Sequence, residues 1–308
     1  MLKKILLQSM QGLLEVQDSE CYQTLLKEAC KNNVEIRILP RVIKDIATFV
    51  SSEEYPDTLI VTDQVRILKE AEKAHMARIA VLASFDNGVG LFRAEYAVED
   101  VSGLDYFFIH MVYNRYHKIP LEIIRTSRCI VREMSAEDTN ELKILYQESA
   151  SEYLQPLSDA ELERDSILSY SRSMYGFYGY GLWLVLERST GKVIGRIGFE
   201  NLLLDDWRIE EGHAAARVKR EIQNRIVMTE LGYMISKKYQ RRGFAWEVCL
   251  SLISFFDTNF GTGHLYIRIE PGNTASIKLA EKLGFAFTSQ IERQGKVMLL
   301  YQYVLRKP

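Results

Sequence analysis

The first part of the chain alternates short apolar runs with stretches of helical pattern. Four runs have the length and composition of strands: 5–7, 34–39, 58–62 and 78–82. The stretches between them at 20–31 and 65–75 have the pattern of helices. Strands and helices that alternate in this way usually form a parallel sheet with helices on both faces. Residues 1–122 are therefore predicted to form an α/β domain.

The pattern changes after a predicted domain junction at 120–128. Four further runs are predicted as strands: 129–134, 182–187, 193–203 and 228–236. Ser135 and Asp138 have the spacing of a capping box and predict a helix that runs to about residue 150. Strands in succession favour antiparallel pairing, so residues 128–308 are predicted to form an α+β domain.

A basic turn, Gln240-Arg241-Arg242-Gly243-Phe244-Ala245, lies between a predicted strand and an amphipathic helix. The apolar face predicted for that helix contains Trp246, Leu250, Ile253 and Phe256. Such a turn presents free backbone N–H groups at the positive end of the helix dipole, which suits an anion such as a pyrophosphate. Gly243 allows close backbone approach, and the two arginines add guanidinium groups. Taken alone, the turn is equally explained as an exposed basic cap on a core helix.

A second strand and helix follow this turn. Alternation over 265–269 predicts a strand with one buried face. Asn273 is a good N-cap for the next helix, whose predicted apolar stripe is Ile277, Ala280 and Leu283. Gly284 stands where the residue after a helix adopts positive φ.

The two motifs together resemble those of the GCN5-related N-acetyltransferase (GNAT) family, whose members hold acyl-CoA in a cleft between two splayed strands. Gln240-x-x-Gly243-x-Ala245 matches the family's pyrophosphate loop. Asn273-x-x-Ser276, followed by Leu283-Gly284-Phe285, matches its last conserved helix. The resemblance covers about residues 128–306 and implies the GNAT acyl-CoA N-acyltransferase fold.

Within the family, the chain is most similar to the branch that acetylates the α-amine of ribosomal proteins, alanine or serine, and to its small-amine relatives. The similarity rests on Asn273-x-x-Ser276 and on Glu230-x-Gly232-Tyr233 in the preceding strand. It implies acetyl-CoA as cosubstrate, no metal, and a primary amine as acceptor, either a peptide N-terminus or a small molecule. The residues that it implies around acetyl-CoA are Met234, Ile235, Ser236, Gln240, Arg241, Arg242, Gly243, Phe244, Ala245, Asn273 and Ser276.

The resemblance also implies catalytic roles. An amine must lose a proton before it attacks a thioester, so a general base helps, and a general acid assists the departing thiolate. Glu230 is predicted as the base, with a solvent-facing strand glutamate as the alternative. Ser276 is predicted to hydrogen-bond the thiolate, with a polar residue of the first helical turn as the alternative. Tyr233 and Tyr266 are in reserve as the acid, and backbone N–H groups at 234–236 would polarise the carbonyl. Many family members carry a tyrosine where this chain has Ala280, which leaves the general acid open and keeps a non-catalytic acyl-CoA sensor as an alternative.

Residues 1–122 show a short resemblance to haloacid-dehalogenase-like (HAD) phosphatases, at 7–14 and at Asp63. That family's first motif has two aspartates where this chain has Ser9 and Gln11. Because the nucleophile and a magnesium ligand are missing, we expect no phosphatase activity from this Rossmann-like domain. A flavodoxin-like or receiver-like sheet explains the same pattern.

Two more stretches could shape the acceptor side of a cleft. Residues 175–183 are rich in aromatics and glycine, which suits either an amine pocket or simple packing on the sheet. Residues 205–225 are densely charged and include His213, which favours a solvated excursion between strands over a gate.

Composition limits the remaining possibilities. The 308 residues carry a net charge of −2, which gives no reason to expect nucleic acid or a membrane as partner. The four cysteines have no paired spacing, which argues against a disulfide framework or structural zinc and fits a cytoplasmic location. A homodimer is left open.

Overall fold

The computed structural model describes residues 1–8, 19–82, 94–99, 104–149, 160–210, 215–224, 226–260 and 263–305. The chain forms two compact units, Met1–Leu121 and Glu122–Pro308. Ser9, Gln11 and His213, which the sequence singled out, lie outside the described residues.

In its described residues, the first unit contains a five-stranded parallel sheet, ordered β2-β1-β3-β4-β5. Its strands are β1 (Lys4–Gln8), β2 (Glu35–Ile38), β3 (Thr58–Thr62), β4 (Ala77–Val81) and β5 (Tyr96–Val98). Its helices are α1 (Glu20–Lys31), α2 (Val65–Lys73) and α3 (Tyr106–Tyr116), with 3-10 turns at Ile46–Thr48 and Ser52–Asp57. Every residue of β1 and β3 is buried, which is the burial expected when both faces of a sheet are covered. The predicted parallel sheet is confirmed.

The order of these strands reverses at β1, which has β2 on one side and β3 on the other. The carboxyl ends of β1 and β3 meet there, and the buried Thr62 hydroxyl donates a 2.9 Å hydrogen bond to Gln8 Oε1. Asp63, the next residue, is also buried. Ligands of open α/β sheets bind at such a point. The HAD resemblance itself stays a prediction.

The second unit is built on a mixed sheet, ordered β10-β13-β14-β12-β11-β9-β8-β7-β6. Its strands are β6 (Glu122–Arg125), β7 (Cys129–Arg132), β8 (Leu182–Glu187), β9 (Val193–Leu202), β10 (Arg208–Ile209), β11 (Met228–Ile235), β12 (His264–Ile269), β13 (Ala286–Arg293) and β14 (Lys296–Val304). The predicted junction at 120–128 therefore contains β6. Among the described strands, β11 and β12 are the only parallel neighbours in this sheet.

The helices of this unit are α4 (Thr139–Ser149), α5 (Ala160–Tyr170), α6 (Ala215–Gln223), α7 (Phe244–Phe260) and α8 (Thr274–Lys282), with 3-10 turns at Ala136–Asp138 and Lys237–Tyr239 and a π-helix at Ser171–Tyr178. The Ser135–Asp138 capping box is present. Asn273 caps α8 with its side chain, and Gly284 has φ of +93°, as predicted. No helix in the described part of the chain has the length and hydrophobicity that crossing a membrane needs.

The predicted apolar face of α7 is partly wrong, because Leu250 is 46% exposed. The residues that α7 buries are Phe244, Val248, Cys249, Leu252, Ile253 and Phe256. These side chains cover β6, β7, β9 and β11, so the buried face is broader than one narrow stripe. Tyr266 of β12 is also fully buried, so both faces of that strand are covered where one was expected to be exposed.

The two uncertain stretches are largely structural. Tyr175, Tyr180 and Trp183 are buried, which favours packing over an amine pocket for residues 175–183. The predicted excursion at 205–225 contains β10 and α6, and Val218 of α6 is fully buried. Most of the described residues of that stretch are exposed and lie between β9 and β11, as predicted, with β10 and α6 formed inside the excursion.

Candidate active site

A cleft opens between β11 and β12. The two strands pair only at their first positions, Thr229 with Leu265 and Glu230 with Tyr266. Beyond that point β11 stays paired with β9 along its whole length, and β12 stays paired with β14. The strands diverge, and a cavity of about 330 Å³ lies between them. It is lined by Leu182, Arg196, Glu200, Glu230, Leu231, Gly232, Tyr233, Met234, Ile267, Arg268, Ile269, Glu270, Asn273, Ser276 and Met298.

Glu230, the predicted base, lies at the narrow end of this cleft and joins the two strands. Its Oε1 accepts hydrogen bonds from the Arg268 backbone N–H (3.1 Å) and from Nε (3.0 Å). Its Oε2 accepts from Nε (3.0 Å) and Nη2 (2.6 Å) of the same arginine. Both oxygens are thus engaged by one partner, as in the strong forked pairs that arginine forms. This geometry suits a structural link between the two strands better than a group that must receive a proton from substrate.

Glu200 is the carboxylate that sequence reasoning missed. It lies directly across from Glu230 on β9 and lines the same cavity. The Tyr170 hydroxyl donates to its Oε1 at 3.1 Å, whereas Oε2 has no hydrogen bond within the described part of the chain. Burial raises the pKa of Glu200 above its usual range; Arg196 and Tyr170 oppose the rise, and the charge of Glu230 adds to it. A partly buried carboxylate with a raised pKa and a free oxygen has the properties of a general base.

Tyr233 and Ser276, the two predicted acid-side residues, lie together. The Tyr233 hydroxyl donates to the Ser276 backbone carbonyl at 3.3 Å, and the Ser276 N–H donates to Asn273 Oδ1 at 3.1 Å. Burial raises the pKa of Tyr233 to about 12. The phenol therefore keeps its proton at neutral pH. Ala280, where many relatives carry tyrosine, is fully buried and has no hydroxyl to offer. Tyr233, in contrast, lines the cavity with a phenol.

The backbone donors at 234–236 divide between two sides of β11. Ser236 donates its N–H to the Ile194 carbonyl on the β9 side at 2.9 Å, and its hydroxyl binds Glu148. Because successive N–H groups of a strand point to opposite edges, those of Ile235 and Tyr233 point toward the opened side. The Ile235 carbonyl faces the same way and accepts from Gln240 Nε2 at 2.9 Å.

The predicted pyrophosphate loop follows β11 and enters α7. Arg241 and Gly243 both have positive φ, +58° and +83°, so the backbone turns sharply at two places. Gln240, Arg241, Arg242 and Gly243 are exposed, while Phe244 is buried as the first residue of α7. Concave turns of this kind gather N–H groups toward an anion. The Arg242 guanidinium stacks on Phe244 at 5.2 Å.

An arginine from a distant part of the chain, Arg128, holds this loop. It ends the turn between β6 and β7, and its Nη1 donates to the Arg242 carbonyl at 2.9 Å. Its Nε and backbone N–H donate to the two oxygens of Glu247, at 2.6 and 2.9 Å. Burial alone would raise the pKa of Glu247, but hydrogen bonds from Thr126, Arg128 and Ser127 lower it to about 2. Sequence reasoning missed Arg128, because no motif near the loop points to a residue so far away in the chain.

The family follows from comparison with known sequences. The profile of the family described as Acetyltransferase (GNAT) domain matches residues 128–286, about half of the chain. The chain belongs to the GNAT family of acetyltransferases. The predicted family and the fold of the second unit are thereby confirmed. Within the described residues, no three His, Cys, Asp or Glu side chains come together as metal ligands.

Individual relatives are more distant. The chain is 27% identical over 150 residues to the uncharacterized protein YkkB of Bacillus subtilis, which covers 49% of this chain and 76% of that protein. It is 26% identical over 195 residues to the uncharacterized N-acetyltransferase p20 of Bacillus licheniformis, covering 61% and 97%. Among solved structures, the ribosomal-protein-S5-alanine acetyltransferase of Vibrio fischeri matches with a TM-score of 0.44 and 15% identity, covering 60% of this chain and 98% of that one. The ribosomal-protein branch stays a prediction.

Replacing Gly243 with valine should weaken CoA binding about tenfold or more. A β-branched residue at φ of +83° costs about 1–2 kcal/mol, so the loop would move to another backbone conformation. Titration calorimetry with CoA measures the effect. Gly295→Val is the matched control, because Gly295 also has positive φ (+78°) but lies in the β13–β14 turn with open space around it. An unchanged Kd in folded Gly243→Val would contradict the loop assignment.

Proposed function

We propose that this protein transfers an acetyl group from acetyl-CoA to a primary amine. The observation that carries the proposal is the parting of β11 and β12 after two residue pairs, with an anion-ready loop directly after β11. Acetyl-CoA supplies the acetyl group as a thioester. The residues suited to hold it are those of the loop, residues 240–245, with Asn273 and Ser276 across the cleft.

Glu200 is the residue we assign as the general base. It takes one proton from the ammonium group of the acceptor, which leaves a neutral amine able to attack the thioester carbonyl carbon. Tyr170 holds one oxygen of Glu200, so the other is left for the acceptor. We assign Glu230 and Arg268 the role of keeping the strands at their separation, in place of the base role expected for Glu230 from the sequence.

Tyr233 is the residue we assign as the general acid. Its phenol keeps its proton at neutral pH and lies beside the first turn of α8. As the new amide C–N bond forms and the C–S bond breaks, the phenol donates its proton to the departing thiolate. The amide nitrogen then loses its second proton, which returns the phenolate to the phenol through solvent. The products are the N-acetylated amine, CoA-SH and the proton that Glu200 releases to water. The N–H groups on the open side of β11 donate to the carbonyl oxygen as it gains negative charge.

The proposal is tested by thiol release in the presence of acetyl-CoA and a panel of amines, with peptide α-amines, polyamines, aminoglycosides and amino acids in separate reactions. We expect steady CoA-SH release that requires one class of amine, with mass spectrometry showing a gain of one acetyl group. CoA binding without CoA-SH release for any amine would favour a non-catalytic acyl-CoA sensor. Absence of CoA binding would contradict both the transferase and the sensor.

Glu200→Gln should lower kcat about a hundredfold, because general-base catalysis typically contributes about 10²–10⁴-fold. In the wild type, kcat/KM should fall on the acid side with a midpoint above the usual pKa of a glutamate, since protonated Glu200 cannot accept a proton. That acid limb should be absent in Glu200→Gln. A full pH profile of both proteins measures it.

Glu230→Gln separates the two carboxylates. The charge of Glu230 raises the pKa of Glu200, so its removal should move the acid limb to lower pH without abolishing it. If Glu230→Gln erases the limb and Glu200→Gln retains it, the roles are reversed. The melting temperature of each variant reports any loss of the bridge between β11 and β12.

Tyr233→Phe should lower kcat about a hundredfold while the Kd for CoA changes by less than about threefold, because only the proton donor is removed. Tyr180→Phe is the matched control: it deletes another hydroxyl, bonded to Asn201 Oδ1 at 2.7 Å, away from the cavity lining. An unchanged kcat for Tyr233→Phe would exclude it as the acid.

A further inference from the structure

Arg128, at the end of the β6–β7 turn, contacts the loop region through several groups of its side chain. Besides its bonds to Glu247 and to the Arg242 carbonyl, its guanidinium lies 4.4 Å from the centre of the Phe244 ring. Its Nη2 lies 3.4 Å from where a Cβ would stand on Gly243. One side chain therefore touches the last residues of the loop and the first turn of α7 together.

The bond to the Arg242 carbonyl has a specific consequence for the next residue. The carbonyl of Arg242 and the N–H of Gly243 belong to one peptide unit, and in a trans peptide they point in opposite directions. By fixing the carbonyl, Arg128 also fixes the direction of the Gly243 N–H. This matters because Arg241 and Gly243, on either side of Arg242, both have positive φ. In turns that contain such residues, the intervening peptide plane can adopt more than one orientation.

The anchor itself is rigid and charged. The Glu247 side chain is largely buried, and it accepts hydrogen bonds from the Ser127 hydroxyl and from two groups of Arg128. The Arg128 guanidinium is planar and keeps its charge, so this pair holds one orientation. Arg242 differs, since its guanidinium is exposed and stacks on the rings of Tyr239 and Phe244.

We propose that Arg128 is a positioning residue for the diphosphate of the acyl donor. It holds the Arg242–Gly243 peptide with its N–H available to the diphosphate, and its guanidinium, paired with Glu247, lies beside Gly243. The inference rests on the proposed function and extends it to donor selection: transfer should depend on a diphosphate in the donor, and Arg128 should account for much of that dependence.

Three acetyl thioesters test this in the full-length protein: acetyl-CoA, its 3′-dephospho form, and S-acetylpantetheine, which lacks the diphosphate and nucleotide. In Arg128→Met, we expect KM for acetyl-CoA and its 3′-dephospho form to rise about tenfold to a hundredfold, with little change in kcat. The rise corresponds to the loss of a charge-assisted hydrogen bond. The fall in kcat/KM with S-acetylpantetheine should be at least about tenfold smaller. Arg128→Lys should recover little, because an ammonium cannot reach Glu247 and the Arg242 carbonyl in the same fork.

Arg125→Met is the matched control, because Arg125 belongs to the same hairpin and pairs with Glu122 on the surface. It should change no donor's KM. An equal loss for all three donors in Arg128→Met, or no loss for acetyl-CoA, would overturn the inference. A rise in KM confined to acetyl-CoA would reassign Arg128 to the 3′-phosphate. If the wild type transfers acetyl from none of the donors, the proposed function fails instead, and CoA calorimetry on Arg128→Met still tests the positioning role.

Discussion

The second unit depends on one constraint: two parallel strands that start as neighbours must part, and their backbone groups must still find partners. A buried N–H without a partner costs about 1–3 kcal/mol. At the point of parting, the Glu230 carboxylate accepts the Arg268 N–H and binds the guanidinium of the same residue. Farther along, Gln240 Nε2 donates a hydrogen bond to the Ile235 carbonyl. The N–H groups that remain on the opened side of β11 are the ones available to a ligand. The cleft therefore follows from how the backbone hydrogen bonds of the sheet are distributed.

This constraint also separates the two carboxylates. Glu230 and Glu200 are direct cross-strand neighbours, yet Glu230 is engaged by four contacts from arginine and Glu200 by one from a phenol. Placing two like charges close together in a partly buried cavity favours protonation of the less stabilised one. The charge of Glu230 thereby helps to raise the pKa of Glu200, so the roles proposed for the two carboxylates are coupled through a single electrostatic interaction.

The two ends of the cleft are held in different ways. The narrow end is closed by the β11–β12 pairing and by Glu230 with Arg268. The loop end is held by Arg128 and Glu247, which join the β6–β7 turn to the start of α7. Since α7 packs on β6, β7, β9 and β11, the loop is fixed to the same rigid body as the strand that precedes it. A rigid loop loses less conformational entropy on binding an anion than a mobile one would.

Sequence alone determined the features that depend on neighbours along the chain. The predicted bounds of β3 and β8 are those observed, and so are the N-cap at Asn273 and the positive φ at Gly284, because each depends on local backbone preference. The family was likewise recognised from sequence, through the resemblance of Gln240-x-x-Gly243-x-Ala245 and Asn273-x-x-Ser276 to motifs of known members. Tertiary structure decided which residues face the cleft: the register that sets Glu200 beside Glu230, the pairing that engages Glu230, and the reach of Arg128 across more than a hundred residues of sequence. These depend on strand register and long-range packing, which no periodicity in a single sequence encodes.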